Sequence, residues 1–320
     1  MDNKINLLIT GGAGFIGSNL VEHFLEDDRV GLVRVLDNLS NGYIENIQEF
    51  FDHPRFEFVQ GDIRDYDTCL KACEGIHKIS HQAALGSVPR SIENPMKSTA
   101  VNILGTVNIM YAAVQQKVER IILAFSSSTY GDHPDLPKVE ENIGNPLSPY
   151  AVTKASVEQF ADVFGKTYGL HWIGLRYFNV FGPKQNPDNP YAAVIPILID
   201  AAINNRTFTI NGDGSASRDF TYVENAVLAN ELSLFTSNES VLHTIYNVAC
   251  GERTTLNELV GIVKSISKND LHTEYSDERP GDVRDSLASI RKIETNLGYS
   301  VTHNIHSGLE LTYNYLKNLK

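Results

Sequence analysis

The chain has 320 residues, 42% hydrophobic and 21% charged, which is enough apolar material for one large domain or two unequal ones sharing a core. Its formal charge of −12 excludes the basic stripes of a nucleic-acid-binding surface and leaves any anionic ligand dependent on a few local cations. No apolar run approaches the roughly 20 residues of a membrane span, and the N-terminus carries no basic, cleavable leader, so a cytoplasmic protein acting on small molecules is expected.

Short apolar runs at 5–9, 33–36, 56–59, 76–80 and 120–125 alternate with helix-period segments, the first of them at 15–25. That rhythm predicts βαβ units and an α/β fold, a Rossmann-type doubly wound parallel sheet with helices on both faces. Ile103, Val107, Met110 and Val114 predict a helix over 102–118. From about Tyr177 the pattern loosens into a Pro- and Asn-rich loop, then a helix near 194–204. Two short strands around a Gly-rich turn are expected within 208–223, a helix at 223–235, and a strand at 244–249 returning toward the sheet. The expected division is a dinucleotide-binding domain at 1–178 and a smaller mixed α/β region at 179–320 whose segments interleave with it. Cys69, Cys73 and Cys250 make no Cys-x-x-Cys pair and fit buried, reduced thiols. The ten histidines show no metal spacing, and no metal is expected.

Gly12-x-Gly14-x-x-Gly17 follows the first strand and opens the first helix, where glycine lets backbone amides approach a pyrophosphate. Asp37 closes the second strand, placed to accept hydrogen bonds from a ribose diol. The residues after it, 38–41, supply no arginine for a 2′-phosphate, so NAD is favoured over NADP. Asp62 and Ile63 follow the third strand within reach of an adenine, although an Asp there also serves simply as a turn former.

Tyr150 and Lys154, at i and i+4, share one helix face behind a Ser-Pro start. A phenol titrates at about 10, and a nearby ammonium and a positive nicotinamide are together expected to lower that value until the phenol serves as a base. Tyr313 and Lys317 repeat the spacing, but in an amphipathic terminal segment with a solvated lysine. Tyr150 differs because Ser126, Ser127 and Ser128 end a strand upstream, at the sheet edge where parallel-sheet ligands bind.

The combination of "TGGAGFIG", "DNLSNG", "GDIRD", "HQAA", "FSSSTYG", "SPYAVTK" and "RYFNVFGP" resembles the extended short-chain dehydrogenase/reductase superfamily, specifically its nucleotide-sugar 4-epimerases. The resemblance spans essentially the whole chain. It implies Ser126, Tyr150 and Lys154 as catalytic residues, with Lys154 also holding the nicotinamide ribose. For the cofactor it implies Gly11, Gly14, Phe15, Ile16 and Gly17 at the first turn, and Asp37, Asn38, Ser40 and Gly42 after the second strand. Asp62, Ile63, Gln82, Ala83, Ala84 and Tyr177 complete that set beside Tyr150 and Lys154.

For a UDP-sugar the resemblance implies Asn179, Ala193, Val194, Asn211, Arg218, Arg279 and Asp282 around the nucleotide, and Ser126 to Ser128 at the sugar. Two arginines on a diphosphate would neutralise its charge. Ser286 stands where relatives restricted to non-acetylated sugars carry tyrosine, so room is implied for a 2-acetamido group, with Gly86 and Ser87 beside it. Related dehydratases carry an Asp-Glu pair where this chain has Ser127 and Ser128, and related decarboxylases place Glu at position 128. The implied reaction is interconversion of UDP-N-acetylglucosamine and UDP-N-acetylgalactosamine by transient oxidation at C4, with UDP-glucose and UDP-galactose as further substrates. A UDP-hexuronic acid 4-epimerase stays open, with Arg90 or Arg284 pairing the carboxylate. So do a net-redox reductase and, in a different class, a non-catalytic NAD sensor or scaffold. The resemblance also implies a homodimer and a place in polysaccharide biosynthesis.

Overall fold

Leu7 and Ile9 face one side of the first strand and Leu8 the other, and all three are fully buried, in two separate apolar clusters. A strand with apolar residues on both faces must be covered by helices on both faces, and that settles the architecture. The computed structural model describes residues 4–189, 192–269, 271–277 and 284–319. Its strands are β1 (Ile5–Thr10), β2 (Val30–Asp37), β3 (Phe56–Gln60), β4 (Lys78–His81), β5 (Arg120–Ser126), β6 (Trp172–Tyr177), β7 (Val180–Phe181), β8 (Phe208–Asn211), β9 (Ser217–Arg218), β10 (Thr221–Tyr222), β11 (Thr244–Val248), β12 (Thr254–Thr255) and β13 (Thr273–Ser276). The helices are α1 (Phe15–Glu26), α2 (Tyr66–Ala72), α3 (Val88–Glu93), α4 (Pro95–Thr99), α5 (Thr106–Gln115), α6 (Pro149–Tyr168), α7 (Val194–Ile203), α8 (Val223–Phe235), α9 (Leu256–Ser267), α10 (Arg291–Leu297) and α11 (Ile305–Asn318).

Seven strands form one parallel sheet in the order β11-β6-β5-β4-β1-β2-β3. The order reverses between β1 and β4, which opens a crevice beyond their carboxyl ends, the usual place for a ligand in such a sheet. One face carries the cluster built with α1 and α8, and the other the cluster built with α2, α5 and α6. A third cluster, from Phe181 through α7, α9 and α11, forms the core of the second region.

Several expectations are corrected. The strand placed at 76–80 runs from Lys78 to His81, because Asn6 and His77 bond across its start (Asn6 N to His77 Nδ1, 2.8 Å) before the regular ladder begins. The helix placed over 102–118 opens as a wide π-type segment, Ala100–Gly105, and becomes α-helical only at α5. That extra width turns buried Asn102 toward the main chain of Leu85, to which it both donates and accepts, and toward Thr153 on α6. The two strands expected within 208–223 are three, and they do not pair with each other: β8 pairs with β13, β9 with β12 and β10 with β7. β6 was not foreseen, although all six of its residues are buried.

α6 starts as its Ser-Pro predicts: Ser148 Oγ accepts from Ala151 N (3.1 Å), Pro149 occupies the first turn, and Gly169 ends the helix at φ 69°. Its position on the sheet is fixed by a buried ion pair. Arg176 of β6 donates twice to Glu158 (Nε to Oε1 2.9 Å, Nη2 to Oε2 2.7 Å), and both side chains are under 10% exposed. Replacing Glu158 by Ala leaves that guanidinium uncompensated and is expected to lower stability by about 3–5 kcal/mol. Joint Glu158→Leu, Arg176→Met should recover most of the loss. A single-variant denaturation midpoint equal to the parent's would show that the pair does not hold the helix.

Candidate active site

The crevice at the β1/β4 reversal is a cleft of about 650 Å³. Its floor is the turn after β1. Gly11 sits at φ +70°, and a Cβ on Gly17 would lie 2.1 Å from Gly11 O, so only glycine lets α1 start this close to the strand. Gly14, Phe15, Ile16 and Gly17 line the cleft with the α1 N-terminus. At the end of β2, the buried Asp37 carboxylate accepts from Ala13 N (3.0 Å) and Leu39 N (2.8 Å). Burial nonetheless raises its pKa above the usual carboxylate value. One amide bond per oxygen leaves further lone pairs for a diol, so this end fits a dinucleotide in both shape and donor set. Asn38, Ser40 and Gly42 continue the same wall, and Gly61 and Ile63 add to it.

Asp62 does not line the cleft. Its carboxylate takes Arg64 (Nη2 to Oδ2, 2.6 Å) and Asn38 Nδ2 (2.9 Å), and the guanidinium holds its pKa far below the usual range, so it organises the turn. On the other side of the crevice, Gln82, Ala83 and Ala84 line the cleft after β4. Gln82 Oε1 accepts from the Tyr177 phenol (3.2 Å), whose oxygen takes Asn230 Nδ2 (2.7 Å), and burial pushes Tyr177 up to about 12. Tyr177 is therefore a neutral wall residue at physiological pH.

Ser126, Ser127, Ser128, Tyr150 and Lys154 all line the same cleft. Burial pushes the Tyr150 phenol above its ordinary value, and a hydrogen bond with Ser126 acts against that rise. The expected acidification joins the Lys154 ammonium with a positive nicotinamide; in the protein alone, burial and Ser126 set the direction of the phenol. Lys154 Nζ donates to Ala124 O (2.8 Å) and is itself pushed down to about 8 by burial, while Glu158 one turn on draws it back. Desolvation is the larger effect on the phenol, and the Ser126 hydrogen bond opposes it. Nearby His81 bonds Thr10 and Thr106 through its two ring nitrogens (2.7 and 2.9 Å) and is pushed down to about 3 by burial and by Lys154, so it stays neutral.

The outer part of the cleft is lined by Gly86, Ser87, Asn179, Arg218 and Ser286. A Cβ on Gly86 would stand 4.0 Å from the Tyr150 hydroxyl, so this wall leaves room beside the phenol. Ser286 Oγ accepts from Asn179 Nδ2 (3.3 Å), and Arg218 Nη1 donates to Ser217 O and Arg284 O (3.0 and 2.8 Å). Between them, fully buried Asp219 accepts from Cys250 N, Gly251 N and Ala288 N (2.9, 3.1 and 3.1 Å) and so ties the Ser286 segment to the end of β11. Among the described residues the buried Ser128 hydroxyl has no hydrogen-bond partner, a cost that a polar ligand would remove.

Ala193 caps α7 and Val194 begins it, and Asn211 accepts from Ser276 Oγ (3.0 Å); none of the three is among the described residues that line the cleft. Arg279 and Asp282 lie outside the described residues. Arg90 and Arg284 do not line the cleft, and Arg90 Nη2 instead reaches Asn41 Oδ1 (2.9 Å). Lys138, which does line it, was missed, because flanking acids in "PDLPKVEE" make it read as a solvated lysine.

A family model described as GDP-mannose 4,6 dehydratase matches residues 8–312. A putative UDP-glucose 4-epimerase of Methanocaldococcus jannaschii is 36% identical over 314 residues, 98% of either chain. The chain belongs to the extended short-chain dehydrogenase/reductase superfamily, among its UDP-sugar 4-epimerases. A solved UDP-N-acetylglucosamine 4-epimerase of this superfamily, from Methanobrevibacter ruminantium in complex with UDP-N-acetylmuramic acid, is 35% identical with a TM-score of 0.93, covering 99% of this chain and 100% of that one. The UDP-glucuronic acid 4-epimerase of Bacillus cereus, in complex with UDP-glucuronic acid and NAD, is 30% identical with a TM-score of 0.92 over 99% of this chain and 100% of that one. Isomerase chemistry is thus shared by the epimerase relatives, although the family model carries a dehydratase's description.

Since Ser126 lowers the Tyr150 pKa and burial raises it, removing the hydroxyl should leave the phenol protonated to higher pH. In Ser126→Ala the acidic limb of the kcat–pH profile should move to higher pH. A lower kcat with an unmoved limb would mean that Ser126 does not act through Tyr150.

Proposed function

We propose that the protein interconverts UDP-N-acetylglucosamine and UDP-N-acetylgalactosamine at C4, using NAD as a resident cofactor. The observation that carries the reading is the convergence of Ser126, Tyr150 and Lys154 in the one cleft whose far end has the shape and donors for a dinucleotide. Residues 1–178 carry the cofactor and the reacting groups, and 179–320, whose segments interleave with them, contribute the UDP side of the cleft. NAD supplies a reversible hydride acceptor for C4. Tyr150 removes the proton from the C4 hydroxyl and later returns one to the same oxygen. Ser126 bridges the phenol and that oxygen, and Lys154, fixed to Ala124 O, holds the nicotinamide ribose. The 4-keto sugar must show its opposite face between the two halves of the reaction, while Arg218 and Arg279 keep hold of the diphosphate.

Gly86, Ser87 and Ser286, all small and all lining the cleft, support the acetamido substituent. UDP-glucose and UDP-galactose would enter the same space. The three thiols are free, and burial pushes each up to about 12, which fits a reducing cytoplasm. Exposed Tyr111 on α5 and Val152, Phe160 and Val163 on α6 form an apolar surface suited to a second copy of the chain.

Anomeric NMR signals after incubation with UDP-N-acetylglucosamine test the reading: UDP-N-acetylgalactosamine should accumulate to an equilibrium mixture without added cofactor. Its absence from protein with verified bound NAD would favour a sensor or scaffold, and steady consumption of added NAD a net-redox reductase. Tyr150→Phe should slow turnover by roughly 10²–10⁴-fold with UDP affinity retained, and full activity would remove Tyr150 from the chemistry. Ser286→Tyr should exclude the acetylated sugar while sparing UDP-glucose. Equal loss of both would assign Ser286 to the integrity of the wall through its Asn179 bond.

A further inference from the structure

Three residues of the cleft's outer wall come from separate parts of the chain: Asn179 from the turn after β6, Arg218 from β9 and Ser286 from the segment ahead of α10. All three are attached to Asp219, a fully buried residue that is not itself among those lining the cleft. Arg218 is its neighbour in the chain. Asn179 Nδ2 donates to the Asp219 carbonyl (2.9 Å), and the Asp219 amide donates to Ser286 Oγ (3.5 Å). Asn179 sits at φ +36°, an uncommon conformation for a residue other than glycine, and its own carbonyl accepts from Thr221 N (3.3 Å), so it is fastened on both sides of Asp219.

The Asp219 carboxylate is the clasp between these pieces. Oδ1 accepts from Cys250 N, and Oδ2 accepts from both Gly251 N and Ala288 N. Ala288 belongs to the Ser286 segment, which the main chain of Lys138 grips from its other edge: Lys138 N donates to Leu287 O (2.7 Å) and Ser289 N to Lys138 O (2.9 Å). Closer to Ser286, Ser217 N donates to Arg284 O (3.1 Å) and Ser286 N to Ser217 O (3.0 Å). The place of Ser286 against Asn179 is therefore set by hydrogen bonds, and the carboxylate accepts the charge-assisted ones, which are the stronger kind.

Burial works against such a group. Desolvation outweighs the three amides and pushes Asp219 up to about 7. The ionisable groups around it are Arg218 on its own strand, Cys250 and Glu252 after β11, Arg284 and Asp285 at the head of the Ser286 segment, and Tyr299 after α10. Glu252 is exposed, and its charge adds to the rise. Burial pushes Cys250 up to about 12 and raises the Tyr299 phenol above its ordinary value, so neither changes charge near neutrality. A proton on Asp219 turns one oxygen into a hydroxyl. On Oδ1 it deprives Cys250 N of its acceptor, and on Oδ2 it deprives Gly251 N and Ala288 N. Either way the clasp opens at one point, in a wall that faces the ligand.

Resting on the UDP-sugar reading, we propose that Asp219 is a positioning residue for the substrate: its ionised carboxylate holds Asn179, Arg218 and Ser286 in one wall, and affinity for the nucleotide sugar falls when it takes up a proton. The reacting groups are spared. Ser126, Tyr150 and Lys154 stand on β5 and α6, and none of the hydrogen bonds of Asp219 described above reaches either element.

The test measures affinity for UDP-N-acetylglucosamine by calorimetry in NAD-loaded Tyr150→Phe protein, where turnover does not intervene. The diphosphate of that ligand keeps its charge near neutral pH, so a change in affinity there belongs to the protein. Affinity should weaken by about tenfold from about pH 8 to about pH 6, as a site that needs an ionised Asp219 demands. Adding Asp219→Asn, which has no charge to lose, should weaken binding at the higher pH by roughly 10–100-fold, the value of a hydrogen bond to a charged group, and remove that slope. Lys154, pushed down to about 8, acts with the opposite sign, because losing its charge weakens binding as pH rises. In otherwise unaltered enzyme Asp219→Asn should raise KM, change kcat little and keep NAD, the signature of lost ground-state binding. An affinity that stays flat in Tyr150→Phe overturns the inference, even where Asp219→Asn does not fold. So does an Asp219→Asn enzyme that loses kcat and NAD together, since that marks a fold-wide role. Turnover with pH-independent binding sinks this inference alone and leaves the epimerase reading standing; failure to bind any UDP-sugar sinks the reading and the inference with it.

Discussion

The active site depends on one buried electrostatic contact, the bidentate pair between Arg176 and Glu158. Arg176 lies in β6 directly opposite Phe125 of β5, the residue before Ser126, while Glu158 lies one helical turn beyond Lys154 on α6. The pair therefore sets the height of α6 against the strand that ends in the serines. Arg176 also donates to Glu140 O (2.9 Å) and lies 4.9 Å from the centre of the Tyr130 ring, so the same guanidinium anchors the loop after the serine turn. A pair with so many fixed partners contributes positional specificity, the use for which a buried ion pair is best suited. Tyr150 inherits its place from this arrangement: its amide bonds Ser91 Oγ (3.0 Å), and the helix below it cannot slide.

The electrostatics of the cleft are governed by desolvation. The phenols of Tyr150 and Tyr177 rise, and the ammonium groups of Lys154 and Lys138 fall, all for the same reason. A site that makes both acids and bases reluctant to ionise is ready to respond to charge brought in by its ligands. In a chain of net charge −12, a few sequestered cations can attract anionic nucleotides that the general surface repels.

Most of the sheet was legible because its strands are short apolar runs separated by amphipathic helices, and the cofactor turn because its glycines sit between a strand and a helix. β6 was hidden by Arg176, a charge that reads as exposed until its partner on a distant helix is known. The short strands of the second region pair with segments far along the chain, so their partners could not be read from local turns. The cluster of Ser126, Tyr150 and Lys154 was visible as residue types at a strand end and on one helix face. The balance between burial and Ser126 was not, because depth below the surface is a tertiary property. Lys138 was overlooked for the same reason, since its acidic sequence neighbours are not its spatial ones.

β11 joins the sheet edge-on to β6, with Thr244 to Val248 registered against Ile173 to Tyr177, although it is reached only after the chain has built much of the sugar-facing region. Cutting the polypeptide after Tyr177 would leave β6 as a raw sheet border, its amides and carbonyls open to any passing strand. The two halves are thus stitched rather than hinged. Because β11, reached late in the chain, completes the sheet begun by the first 177 residues, the later segment cannot be traded as a cassette without reopening that border.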